Sequence, residues 1–115
     1  MYVDLFDEIE DKTGLPLKLF NTKEIEPCIV YEVSPVKDDG VVAVDSMNFR
    51  IIHFTARECN DVDKILKKVM LSVGDIVGSD IKKVAVSGGG FMPQDETNTV
   101  HKITLYTITR KSEVI

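Results

Sequence analysis

The sequence predicts an α+β domain: a mostly antiparallel sheet of about four to five strands with two helices packed on it, in the order α-β-β-β-α-β-β. Three observations lead there. Two stretches repeat apolar residues at helical spacing, one opening at Tyr2 and one centred on Leu66. Six stretches are β-prone, several of them bounded by Gly, Pro or Asp-Gly. The strands fall in consecutive groups instead of alternating one by one with helices, which favours antiparallel pairing. A chain of 115 residues suits one domain spanning 1–115. At that length roughly two-thirds of the unfolded surface is buried on folding, enough for a core without a disulfide or a metal.

In the first helix, Tyr2 to Thr13, the residues Tyr2, Leu5, Phe6 and Ile9 share one face, and Asp4, Asp7, Glu8, Glu10 and Asp11 surround the rest. Acids early in a helix suit its dipole, and Gly14 with Pro16 stops it. Leu17 to Phe20 is a short strand and Asn21 to Glu26 a polar connection. Cys28 to Val33 is a strong strand. Ser34-Pro35 weakens its continuation, because proline cannot donate to a ladder. Lys37-Asp38-Asp39-Gly40 is a turn. Val41 to Val44 is β-prone but short. A long strand follows from Asn48 to Arg57, with Phe49, Ile51, His53 and Thr55 on one face and Arg50, Ile52, Phe54 and Ala56 on the other. Residues 28–57 therefore read as a long hairpin whose tip, near Val36 to Val44, stands away from the main sheet.

The second helix takes Asn60 as its N-cap and carries Val62, Ile65, Leu66, Val69 and Val73 in one stripe. It ends at Gly74 or runs on to Val77-Gly78. Ile81 to Val86 is a strand, residues 87–98 a long loop, and Val100 to Arg110 the last strand, with a loose tail after it.

Composition narrows the function. The formal charge is −5, and the 14 Lys and Arg residues are spread along the chain, at most in pairs such as Lys67-Lys68 and Lys82-Lys83. Tight DNA binding needs a basic patch. The hydrophobic fraction of 43% with 29% charged residues is that of a globular domain. Cys28 and Cys59 form no CxxC and read as free thiols in a reducing compartment. No apolar run approaches the roughly 20 residues that span a bilayer, and the acidic, periodic N-terminus is unlike a signal peptide. The expectation is a protein that folds in a cytoplasm, away from membranes.

Motifs for chemistry are weak. His53 and His101 each sit in a strand with no second ligand at metal-site spacing. Cys59 near a helix N-terminus invites a lowered pKa, but no base partner is evident. Gly88-Gly89-Gly90 lacks the Lys-Ser or Lys-Thr and the following helix of a phosphate loop. Asp95 and Glu96 are adjacent carboxylates in a polar loop, and such pairs are usually solvated. The sequence gives no catalytic residue, no metal site and no cofactor. What stands out is apolar residues in the predicted loops: Phe91 and Met92 in the long loop, and Val36, Val41, Val42 and Val44 at the hairpin tip. Either they fold back on their own core or, with Asp95 and Glu96, they form a subunit interface.

The element order and local patterns resemble the small tail-completion proteins of long-tailed bacteriophages: the tail terminators, or tail-to-head joining proteins, and their relatives in prophages and tail-like particles. The resemblance covers nearly the whole chain. It rests on the acidic first helix running into Gly-Leu-Pro, on EPCIVYEV, on FRIIHFTARECNDVDKILKKVMLSV, and on VHKITLYTITR after an acidic loop. It implies a homo-oligomeric ring, commonly of six copies, that caps the tail tube, ends its polymerisation and joins it to the head connector. The implied partners are a second copy of the chain, the tail tube protein and possibly a sheath or connector protein. DNA would pass through the ring without specific binding. The implied location is the virion tail, assembled in a bacterial host cytoplasm. A head-completion or neck adaptor protein fits the same pattern. A small-molecule or nucleotide-binding module using the Gly-rich segment, and a one-to-one regulatory partner, are alternatives from other classes.

Overall fold

A computed structural model of the chain describes residues 2–19, 26–78, 80–92 and 99–112. Eight elements follow in order: α1 (Val3–Thr13), β1 (Leu17–Leu19), β2 (Cys28–Asp38), β3 (Val42–His53), α2 (Ala56–Leu71), the one-turn α3 (Val73–Val77), β4 (Ile81–Met92) and β5 (Val100–Lys111). The strands make one sheet in the order β1-β2-β3-β5-β4. Only the β1–β2 pairing is parallel; the other three are antiparallel. The predicted α+β class and element order are therefore those observed, with a short helix added after Ser72.

The helices cover one face of the sheet. Alternate residues of the two central strands point at them: Met47, Phe49 and Ile51 from β3, and Tyr106 and Ile108 from β5 are all fully buried. They meet Leu5 and Ile9 of α1 and Cys59, Leu66 and Met70 of α2 in a single core. Phe49 and Tyr106 pack edge to face, with ring centroids 5.9 Å apart. Three residues on the opposite face, Cys28, Val30 and Ile52, form a smaller buried cluster. Cys28 is thus a core residue, as its strand position predicts.

Four boundaries differ from the sequence reading. The long strand ends at His53, and α2 starts four residues before the expected cap: Thr55, not Asn60, is the N-cap, its hydroxyl accepting from the Glu58 N–H at 3.1 Å. The earlier start is favoured because it brings Cys59 onto the buried stripe with Val62 and Leu66. Val41–Val44 and Asn48–His53 are parts of one strand. The sequence breaks them at Asp45-Ser46, but Asp45 points inward and is neutralised there by Arg110. The hairpin tip does not stand away from the sheet, because β5 pairs with β3 as far as Val42↔Lys111. Residues 87–92, read as loop, continue β4 through Met92.

The glycines explain the last of these. Gly88, Gly89 and Gly90 have φ of 153°, 154° and 154°, and β4 shifts register against β5 between Val86 and Gly88. A Cβ on Gly89 would lie 2.5 Å from the Ile103 carbonyl oxygen. The run is a close backbone approach across a ladder, which only glycine permits. At the other end of β5, Ser112 is no loose tail. Its N–H donates to the Val41 carbonyl at 3.0 Å and its hydroxyl to Asp38 Oδ1 at 2.7 Å.

Candidate assembly surfaces

The β2–β3 tip is built by two aspartates. Asp38 Oδ1 accepts from the Gly40 N–H at 3.0 Å. Asp39 Oδ1 accepts from the N–H groups of Val41 and Val42 at 2.9 and 2.8 Å, and Gly40 takes φ 87° between them. These hydrogen bonds hold both carboxyls below their ordinary pKa, so both stay charged. The turn leaves Val41 72% exposed, and a register shift at Val36 leaves that residue 63% exposed. Val42 and Val44 are half-buried on the helix-free face, opposite Lys111 and Thr109 of β5. Of the four tip valines, the structure therefore presents two.

Phe91 and Met92 end β4, opposite Lys102 and His101. They are 49% and 36% exposed. The Lys102 ammonium sits 5.3 Å from the centre of the Phe91 ring. The tip and this pair lie at opposite ends of the sheet, because the tip abuts the last residues of β5 while Phe91 and Met92 abut its first. The interface candidates are thus two separate patches. Asp95 and Glu96 lie outside the described residues.

Polar groups below these patches lock the sheet to the helices. Asp45 Oδ2 receives the Tyr2 hydroxyl at 2.5 Å and Arg110 Nε at 2.7 Å. Asp63, buried on α2, accepts from the Thr104 hydroxyl at 2.8 Å and pairs with Lys102 Nζ at 3.0 Å. Lys102 also donates to Asn60 Oδ1 at 2.8 Å. The sequence reading missed both clusters, although a signal exists: Lys102 and Arg110 share the inward parity of Tyr106 and Ile108. A cation at such a position must find an acid.

The remaining chemical candidates are spent on the fold. Cys59 Sγ donates to the Val100 carbonyl at 3.3 Å, and burial pushes its thiol pKa up, the reverse of an activated thiolate. His53 contacts Glu58 where β3 turns into α2. His101 shares a hydrogen bond with the Thr99 hydroxyl at 3.0 Å. Gly88 to Gly90 lie in a strand, not ahead of a helix. Among the described residues, no three His, Cys, Asp or Glu side chains group to hold a metal, and no helix is long and apolar enough to cross a membrane. A groove of about 480 Å³ between α1 and α2 is lined by Glu8, Lys12, Ile65, Lys68, Val69, Ser72 and Ile76.

No family model matches the sequence. No curated protein sequence matches it either. A solved structure does: a chain of the "Virion of native gene transfer agent (GTA) particle" superposes with a TM-score of 0.71, over 97% of this chain and 95% of that one, at 7% identity. This chain and that virion chain share a fold over essentially their whole lengths.

Proposed function

We propose that this chain is a structural component of a phage-derived virion or tail-like particle, and that it works by assembly, not by catalysis. The observation that carries the reading is the end-to-end fold match with a chain of a gene transfer agent virion. The sequence resemblance to tail terminators supports it independently, since that rests on residue patterns and not on coordinates. The finer reading is a homo-oligomeric ring, commonly of six copies, that caps the tail tube, ends its growth and joins it to the head connector. Apolar residues held exposed on rigid strands and a tight turn, Val36, Val41, Phe91 and Met92, are what subunit contacts require. The net charge of −5 suits a passage that DNA slides through without sticking.

Light scattering with negative-stain imaging, on the protein alone and mixed with tail tubes, tests this. Rings, or density at one end of each tube, are the expected result. A protein that stays monomeric and ignores tubes but binds the head-side connector is instead a neck adaptor. One that ignores both and gains melting temperature with a nucleotide refutes the assembly reading. Replacing Phe91 and Met92 with serine should leave the monomer folded and weaken assembly by at least tenfold, because neither side chain belongs to the buried core.

A further inference from the structure

The two flanks of the domain differ in charge, and each carries exposed apolar side chains. On one flank lie α1 and β2, joined by the tilted contact of the Phe6 and Tyr31 rings, whose centroids are 4.6 Å apart. Helical spacing places Val3, Asp7 and Glu10 on the side of α1 that turns toward β1, where Glu10 accepts the Leu17 N–H at 3.2 Å. Glu8 and Lys12 turn the other way, into the groove beside α2. Val3 on α1 and Val36 on β2 are both largely exposed. The helix itself holds five acids and one lysine.

The opposite flank is formed by α2, which lies over β5 and β3, and by α3 and β4 beyond it. Asn60 and Asp63 of α2 reach Lys102 beside Phe91, which fixes the side of that helix facing β4. The same side carries Lys67 and Leu71. Leu71 is 60% exposed, and Val86 and Phe91 extend the apolar surface along β4. Lys82 stands at the start of that strand.

Both flanks are also edges of the sheet. Among the described residues, β2 has an outer neighbour only at Ile29–Tyr31, and β4 has none. Strand addition is discouraged at each. The Ile29 N–H points outward to the Pro16 carbonyl, so by alternation the missing N–H of Pro35 falls on the outer side too. Register shifts follow at Val36, Lys82 and Ser87. Such features blunt an edge against ladder extension. A partner on either flank must therefore be held by side chains.

We propose that the acidic α1–β2 flank of one copy docks, side chain to side chain, on the lysine-bearing α2–β4 flank of the next copy. The contact is heterologous, one patch against a different patch, and so propagates head to tail until it closes. The inference deepens the assembly reading and rests on it for the identity of the partner, a second copy of this chain. The pairing of Asp7 and Glu10 with Lys67 and Lys82, and apolar side chains on both flanks, are what single out that partner.

Paired charge reversals test it: Asp7→Lys with Glu10→Lys on one flank, and Lys67→Glu with Lys82→Glu on the other. Each protein is first shown to be folded by circular dichroism. Assembly at low ionic strength, with tail tubes present, is read by carbodiimide cross-linking, which joins a carboxylate to a lysine it touches. Mixing unlabelled with nitrogen-15-labelled protein identifies links between copies. The wild type should give mixed-isotope links from Asp7 or Glu10 to Lys67 or Lys82. Each variant alone should lose at least tenfold in assembled mass. A one-to-one mixture of the two should regain it, because every contact in an alternating array again pairs opposite charges. Variants that assemble alone as the wild type does, or a mixture that fails to recover, would overturn the flank assignment while leaving the ring reading standing. A wild type that yields no mixed-isotope link under any condition would overturn both.

Discussion

Single side chains decide where this fold is strong and where it is strained. The hydroxyl of Tyr106 is fully buried and has no hydrogen-bond partner among the described residues. Burial pushes its pKa up, so it stays protonated, an unmet donor in the core. Tyr106→Phe should therefore raise stability by about 1 kcal/mol, seen as a higher denaturant midpoint at unchanged slope. Asp45 is the opposite case. It receives Tyr2 and Arg110 together, and its side chain is 6% exposed against 14% for the arginine. Asp45→Ala leaves a cation without its acid at a largely shielded site and should cost about 3 kcal/mol, measured in the same unfolding experiment. Neither residue is visible to periodicity alone. Tyr106 reads as a good core residue, and Asp45 reads as a strand breaker until its partners, 43 and 65 positions away in sequence, are known.

At the level of elements, legibility followed the period of the pattern. The second helix was plain because Val62, Leu66 and Val69 repeat at helical spacing and all are buried, although Ile65 of the same stripe is 36% exposed and Val73 falls in α3. Val69→Asp should accordingly unfold the protein, since an unpaired buried charge costs several kcal/mol; a cooperative native melt from that variant would show the face to be misassigned. The ends of elements were less plain. Thr55 and Asn60 are both fair caps, and only the burial of Cys59 separates them. The triple glycine reads as loop because its residues lack side chains to alternate, yet the ladder with β5 holds it as strand. Gly89→Ala should push β4 away from Ile103, and amide exchange along residues 88–92 should speed up while that of β3 is unchanged. The tip gives a pH test. Asp38 and Asp39 have folded pKa values below the ordinary 3.8, so the unfolded chain takes up protons first as the pH falls. Their contribution is complete near neutrality and is lost through the depressed folded values. The amides of Gly40, Val41 and Val42 should lose protection on acidification below about pH 4, ahead of the core strands.

For the whole molecule, the fold class and element order were legible, and the arrangement of the exposed apolar residues only in part. Exposed valines and Phe91 could be named from composition, but their separation to opposite ends of the sheet depends on register. The charge difference between flanks is further from the sequence still. Acids of α1 and lysines of α2 both read as solvated helix faces. It takes the packing of the helices on the sheet to show that α1 lies toward β1 and β2, and α2 toward β5 with α3 against β4. Because exposed charges carry the proposed contact, assembly should weaken steeply with added salt once the screening length falls below about 10 Å, while the monomer's melting temperature hardly moves. Scattering and calorimetry on one salt series check both halves of that expectation.

The strand order also governs when the protein becomes competent. The strand made last in this domain, β5, lies second from the edge, with β3 on one side and β4 on the other. Until β5 leaves the ribosome, β4 has no ladder partner among the described residues, Asp45 lacks Arg110, and Asp63 lacks Lys102 and Thr104. The nascent chain therefore cannot present a finished lysine-bearing flank. On the proposed assembly reading, the docking flank is completed only when β5 joins the sheet.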